Sequence, residues 1–478
     1  MNSARIGYGS GLALPLGSFL QEIFFQLVLL ILLFVGFPLS IWLLSPKAWF
    51  AGLSILLSLW MMHRLVGVFN VRCLTLPAFF YFMYFGIILV PGFFIFREEA
   101  TPARDRFLFS IVSVLLTVPF GIWLANLLSH FRMNEIAEYF RRPVQAKSSA
   151  TPNKRLFVIV LAISIGFVLL NLWETPVVPL LYLIRHPGDS LEVAFLREDA
   201  FKLLTSNFTY IYYVVRMTML PFLTLVAFGR YLRDRQLAWK RLFFISLSAA
   251  VFYASLTIEK SPVAAIAGII GIFYYLFRGG KLGKTATIVI PALFLLFPVI
   301  VILLAFSGTE GGTLGAALQA MATRIFYCPA DVLYYYFEVF PGVIPFLHGA
   351  SLPKLAFLLG QKAIDIPNVV GLYMTDGIGI GSVSANACFI GNANADFGLP
   401  GVIAEGVLAG FVMQLVSVYF YRKPKTVVNL SASAICYWAF GILVASALTT
   451  QMLSGGVTFA FLLGWLFRER QRAFPANA

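Results

Sequence analysis

Arg216, in the run IYYVVRMTMLPF, and the adjacent Glu259 and Lys260, in LTIEKSP, place charge where an apolar chain has least reason to carry it. Glu405 does the same in GVIAEGVLAG. Ionisable groups between long apolar runs are costly and default to a functional reading. Each has a plainer alternative: snorkelling to the membrane boundary for Arg216, a solvated helix-end turn for Glu259 and Lys260, an internal hydrogen bond for Glu405. Neighbouring residues do not face each other on a helix, so a simple Glu259–Lys260 pair is not assured.

A second set of polar residues lies in two long segments between apolar runs. Segment 174–208 holds Arg185 and Arg197, and segment 307–397 holds Arg324, Asp331, Glu338, His348, Asp376 and Asp396. Arg324 and Asp331 are seven apart, so they share one face if the segment is helical. The run Tyr334, Tyr335, Tyr336, Phe337 suits stacking on sugar rings, with an interfacial aromatic belt as the alternative. Together these residues fit a diphosphate-bearing lipid. Arg and Lys would hold the diphosphate, and a carboxylate or His would take a proton from an attacking hydroxyl. No Walker A sequence, His-Glu-x-x-His motif or Asp-x-Asp pair is present. The expectation is therefore an enzyme with no cofactor and no metal, acting on a lipid-borne substrate. Cys328 and Cys388 fall in the same segment, where a disulfide is permitted.

The elements that must position these residues are membrane helices. The chain has 478 residues, of which 60% are hydrophobic and 12% charged, and its mean hydropathy is +0.87. A soluble domain is about a quarter charged, and many windows here reach the roughly 20 apolar residues that span a bilayer. Runs such as QLVLLILLFVGFPL do not alternate as barrel strands would. Twelve spans are expected, near 22–44, 48–63, 74–95, 107–130, 156–173, 209–229, 242–257, 262–277, 286–306, 398–420, 428–448 and 452–467. The residues ahead of the first span lack a basic region and a small-residue cleavage site, so no signal peptide is read there. The fold class is thus an all-α polytopic membrane protein of about 12 transmembrane helices, with a large outer loop between spans 9 and 10. Its parts are residues 1–306 with spans 1–9, loop 307–397 with amphipathic helices, and 398–478 with spans 10–12.

Lys and Arg concentrate on one set of loops, including Arg132, Arg141, Arg142, Arg230, Arg233, Lys281, Arg422 and Lys425. By the positive-inside rule that side is cytoplasmic and both termini are inside. Most of the net charge of +14 then reflects topology and contact with anionic membrane lipids; no nucleic-acid partner is expected. The first outer loop, Ser45-Pro46-Lys47, has no carboxylate, and the segment DGIGIGSVSANACFIGNANADFG reads as an irregular loop.

On LTIEKSP and GNANADFGLPGVIAEGVLAG, the chain resembles the oligosaccharide repeat-unit polymerases, the Wzy or O-antigen polymerase family, which are related in architecture to the O-antigen ligases. LTIEKSP stands where the family has a Thr-x-x-Arg-type turn, with Lys260 in place of Arg; Asp396 and Gly398 match the family's Gly-rich Asn/Asp segment. The resemblance implies a GT-C-like fold and a metal-independent glycosyltransferase at the periplasmic face of a bacterial inner membrane. It implies polyprenyl-diphosphate oligosaccharides as donor and acceptor, and it allows a chain-length-regulating co-polymerase as partner. Glu259, Lys260, Arg324 and Asp396 are then the expected catalytic residues, with Glu259 or Asp396 as base. Arg185, Arg197, Arg216, Asp331, His348 and Tyr335 are the expected substrate-binding residues. A ligase for a finished glycan, or a transporter or flippase of lipid-linked sugars, are the alternatives.

Overall fold

A computed structural model describes residues 49–99, 101–145, 154–189, 192–193, 195–196, 209–307, 313–358, 360–375 and 384–468. Among these the chain is all helical, with no strand. Among the described residues, nine helices are long and apolar enough to cross a membrane: Trp49–Val66, Leu76–Glu98, Ala103–Ser129, Lys154–Glu174, Tyr210–Asp234, Leu237–Ser255, Lys284–Ala305, Ile390–Arg422 and Val427–Ala445. Ser261–Phe277 is a shorter apolar helix. The protein is a multi-pass α-helical membrane protein.

The span expected at 22–44 lies outside the described residues. The one expected at 452–467 is instead two pieces, Leu448–Met452 and Val457–Leu466. The break falls at Gly455 and Gly456, where the chain turns with φ 105° at Gly456. A Cβ at Gly455 would sit 2.1 Å from Gln451 Oε1, and one at Gly456 2.5 Å from Thr218 Oγ1. The segment expected as an irregular loop up to residue 398 is helical from Ile390 onward. The helix Ile390–Arg422 runs through a kink at Gly398, with φ 63° and ψ −149°, a conformation open to glycine. Gly398 and Pro400 read as breakers in the sequence but mark a bend inside one long helix.

The centre of the bundle is the crossing of Ile390–Arg422 with Ala103–Ser129. Small residues let the two backbones touch, as membrane helices without a solvent-driven apolar collapse require. A Cβ on Gly121 would lie 2.0 Å from Val407 O, and one on Gly410 2.1 Å from Val118 O. Gln414 Nε2 donates to Asn126 Oδ1 at 2.6 Å across the same interface. Gly410→Ala is accordingly expected to destabilise the protein by about 1–3 kcal/mol through overpacking. Thermal unfolding in detergent measures it, and an unchanged midpoint would refute the tight crossing.

Two ends of the bundle carry different chemistry. At the Lys/Arg-rich end, the helix Asn134–Arg141 buries Ile136, Tyr139 and Phe140. It is tied to the long helix by Arg422, whose Nε donates to Glu135 Oε2 at 2.8 Å. That guanidinium holds the Glu135 carboxyl below its usual range. Lys425 is buried, and its ammonium donates to Tyr139 O at 3.3 Å and Phe140 O at 3.4 Å. At the opposite end, residues 313–358 and 360–375 cap the bundle with the helices Leu314–Ala322, Cys328–Val339, Pro353–Leu358 and Ile366–Met374. They are pinned by Arg106 Nη2 donating to Phe337 O at 3.1 Å and by Tyr336 OH donating to Ala385 O at 2.7 Å.

Candidate active site

The turn between Leu237–Ser255 and Lys260–Phe277 is held in an uncommon backbone conformation. Ile258 has φ 58°, a value that a β-branched residue rarely takes and that neighbouring structure must enforce. Here the enforcement is apolar: Ile258 is buried with Leu183, Val193 and Val301, and Leu180 N donates to Leu256 O at 3.3 Å. The strained residue separates Thr257 from Glu259 and turns both side chains toward Arg216. Arg216 Nη1 donates to Thr257 Oγ1 at 3.1 Å, and Nη2 makes an ion pair with Glu259 Oε2. Arg216 is buried while Glu259 keeps a 23% exposed side chain. Among the described residues, Arg216 Nε has no hydrogen-bond partner. A buried guanidinium that meets a carboxylate and a hydroxyl replaces the snorkelling alternative for Arg216.

Glu259 opens onto a cavity of about 500 Å³. Its polar edge is Glu259, Ser261 and Arg324. Its walls are apolar, built by Ile87 of Leu76–Glu98, Phe294, Pro298 and Val301 of Lys284–Ala305, and Trp438 and Val444 of Val427–Ala445. Arg324 is exposed, on the segment between Leu314–Ala322 and Cys328–Val339. The cavity thus joins a carboxylate from one segment and a cation from another, above a buried Arg.

Three wide turns converge here. Residues Phe85–Leu89, Val215–Met219 and Thr323–Tyr327 each form a π turn inside a helix. Each is closed by an i→i+5 bond: Val90 N–H to Phe85 O, Leu220 N–H to Val215 O, and Cys328 N–H to Thr323 O. In every case a proline, Pro91, Pro221 or Pro329, stands second in the next helix. Proline has no N–H and its ring clashes with the carbonyl four residues back; widening the turn by one residue relieves that clash. The inserted residue rotates the downstream helix by about 100°. Two of the three turns carry the site's arginines, Arg216 and Arg324, and the third carries Ile87 of the cavity wall.

The wide turn at 323–327 also separates Arg324 from Asp331, which the sequence would put on one helical face. Arg324 borders the cavity. Asp331 is half-buried, and burial and then the Glu99 carboxylate raise its carboxyl above the usual range. Glu338 is raised in the same way, by burial first and Glu99 second. Tyr335 lies between them, its ring 6.3 Å from that of Tyr373. Asp331, Glu338, Tyr335 and Tyr373 therefore form a separate patch of carboxylates and rings on the capping helices.

Asp396 is not at the cavity. It is buried, and its side chain accepts from Gly349 N at 3.1 Å, from Ser351 N at 3.2 Å and from the Ser351 hydroxyl. Its carbonyl accepts from His348 N at 3.0 Å. It braces the loop that carries His348, whose exposed ring does not line the cavity. Arg185 is exposed at the end of helix Pro179–Arg185, away from the cavity lining. Lys260 begins helix Lys260–Phe277, but its side chain lies outside the described residues, as do Arg197 and Asp376. Cys328 and Cys388 are free thiols. Glu405 lies within Ile390–Arg422, half-buried.

The amino-acid sequence alone did not reveal the Arg216–Glu259 pair, the role of Thr257 or the three wide turns. The prolines were the available signal: Pro91 and Pro221 sit inside apolar runs long enough to be one uninterrupted helix, and Pro329 inside a mixed segment of similar length. The chain matches no protein-family model, no curated protein and no solved structure.

Proposed function

We propose that the protein is a membrane glycosyltransferase that polymerises polyprenyl-diphosphate-linked oligosaccharide units at the non-cytoplasmic face of a bacterial inner membrane. The observation that carries this reading is the cavity itself: a carboxylate and an arginine meet at the polar edge of a pocket whose walls are apolar and reach into the bundle. That division matches a substrate with an anionic sugar-bearing head and a hydrocarbon tail. The first turn of helix Lys260–Phe277 also borders the cavity through Ser261. The first N–H groups of a helix have no partner within it, and a helix N-terminus favours an anion.

In the reaction, the hydroxyl oxygen of the incoming unit attacks the anomeric carbon of the growing glycan. The bond from that carbon to the diphosphate oxygen breaks, and polyprenyl diphosphate leaves with the electron pair. Arg324, at the cavity edge, stabilises the charge that develops on the leaving diphosphate. Glu259 takes the hydroxyl proton, with Arg216 and Thr257 positioning its carboxylate. Asp396, with its oxygens already occupied, acts as a brace for the 347–351 loop. The patch of Asp331, Tyr335 and Tyr373 suits the acceptor sugar, with rings to stack on pyranose faces and carboxylates to accept from hydroxyls.

Reconstitution in liposomes with a purified polyprenyl-diphosphate oligosaccharide tests this. The expected result is a ladder of products without added nucleotide or metal. One glycan delivered to a foreign acceptor would instead make the protein a ligase, and translocation with no new glycosidic bond would make it a transporter.

A further inference from the structure

The short capping helix Pro353–Leu358 points two large apolar side chains away from the bundle. Phe357 is 82% exposed and Leu358 78%, while the preceding Ala356 is buried. So small a buried face cannot fix the helix by packing, and hydrogen bonds do it instead. Ala356 N donates to Leu352 O at 2.8 Å. Gly360, with φ 66°, ends the helix: its N–H donates to Phe357 O at 3.1 Å, and Gln361 N–H donates to Ala356 O at 2.8 Å. This is the paired closure of a Schellman motif, in which the residue after the glycine commonly covers the helix end with an apolar contact. Here that residue is the exposed Gln361, so Phe357 and Leu358 stay uncovered. Ile364 N donates to Ala350 O at 2.9 Å and joins the base of a finger made of residues 350–358 and 360–364.

The long helix sets the height of that base. Leu347 N and His348 N donate to Ala395 O and Asp396 O, and the Asp396 carboxylate accepts from Gly349 N and Ser351 N. The base therefore sits beside Asp396 on Ile390–Arg422. At 1.5 Å of rise per residue, the stretch from Asp396 to Arg422 measures roughly 39 Å, and the bend at Gly398 only shortens it. A bilayer measures about 40–45 Å with its headgroups. With Arg422 in the headgroup layer at the Lys/Arg-rich end, the base of the finger falls in the headgroup layer of the other leaflet. At that same end Trp173, in the last turn of Lys154–Glu174, is 88% exposed, as suits an aromatic belt at the membrane boundary.

We infer that the finger inserts Phe357 and Leu358 into the leaflet at this end of the bundle and so anchors the cap to the membrane. The exposed Lys362 beside the apolar tip then lies among the headgroups, where a cation is attracted to anionic lipid. An apolar tip with a neighbouring cation, held at headgroup height, is the arrangement of an interfacial anchor. A second copy of the chain would be the other occupant of such an apolar pair, and the height of the finger base favours lipid. The inference does not rest on the chemistry proposed for the cavity.

Nitroxide labels on the full-length protein, in liposomes of phosphatidylglycerol and phosphatidylcholine, test it. Cys73→Ser/Cys328→Ser removes the two half-buried thiols and leaves the buried Cys388 and Cys436. Labels go on Phe357→Cys, Leu358→Cys, Lys362→Cys and Leu296→Cys, one per protein. Leu296 is an exposed position within the span Lys284–Ala305 and serves as the lipid reference. Depth is read from collisions with lipid-soluble oxygen against those with a water-soluble nickel chelate. The labels at 357 and 358 are expected about 5–10 Å below the lipid phosphates, the label at 362 at or above the phosphates, and the label at 296 deeper than all three. Thermal unfolding unchanged from the unlabelled protein shows that each variant is folded, and positions 357 and 358 report independently. Nickel reaching 357 and 358 as freely as 362 would place the finger in water and overturn the anchor. Few collisions with either reagent at 357 and 358 would mean that protein, such as a second copy, covers them, and would overturn it as well.

Discussion

Replacing Arg216 by methionine is expected to abolish glycan polymerisation and to lower stability by about 2–3 kcal/mol. The loss of stability comes from leaving Glu259 without its counter-charge; removing one member of a buried pair costs more than the pair contributes. The figure sits at the lower end because Glu259 is 23% exposed and water screens it in part. Removing both charges, as Arg216→Met/Glu259→Leu, should restore most of the stability, since apolar replacement of an ion pair is often neutral. It should not restore activity, because the carboxylate at the cavity edge would be gone. Thermal unfolding and the ladder assay, run on the same preparations, separate the two effects. A double variant that is stable and polymerises normally would make the pair a structural device with no part in the reaction.

Substituting Pro329 by alanine is expected to leave stability unchanged or raise it, while reducing polymerisation about 100-fold. Alanine restores an N–H and removes the ring clash that the wide turn at 323–327 accommodates. If the helix then closes in ordinary α geometry, Arg324 turns by about 100° away from the cavity. A displacement of even about 1 Å at a reacting centre can cost about 100-fold. Pro291→Ala is the control: this proline is internal to Lys284–Ala305, has no wide turn and does not line the cavity. It should alter activity little. Full activity in a stable Pro329→Ala protein would show that the wide turn does not set the position of Arg324.

The sequence made the spans legible because burial in hydrocarbon demands long apolar runs, and most of those runs returned as helices close to their expected positions. It was less informative where backbone contact decides the outcome. Nothing in GLPGVIAEGVLAG announces that Gly398 bends a helix, that Gly406 makes room for the Thr117 side chain and that Gly410 lets another backbone approach, since the difference lies in φ and in what stands opposite. The ends of the tenth and twelfth expected spans failed for that reason. The site was legible in part. Arg216 and Glu259 could be singled out as charges in the wrong solvent, and Arg324 as a cation of the long segment 307–397, but their association joins residues 43 and more positions apart and required the fold. Asp396 shows the opposite error: a carboxylate in a polar, glycine-rich segment looks available, and only the loop folded over it shows that its oxygens are occupied. Arg324 and Asp331 were paired by helical spacing, and one inserted residue parted them.

The most direct measurement of the central claim is a bond count in liposomes holding a single labelled polyprenyl-diphosphate oligosaccharide. The wild-type protein is expected to release one polyprenyl diphosphate for each new glycosidic bond, while Arg324→Ala, equally folded by thermal unfolding, releases none and forms none. Movement of the labelled lipid across the bilayer with no release and no new bond, or unchanged bond formation by Arg324→Ala, would contradict the account.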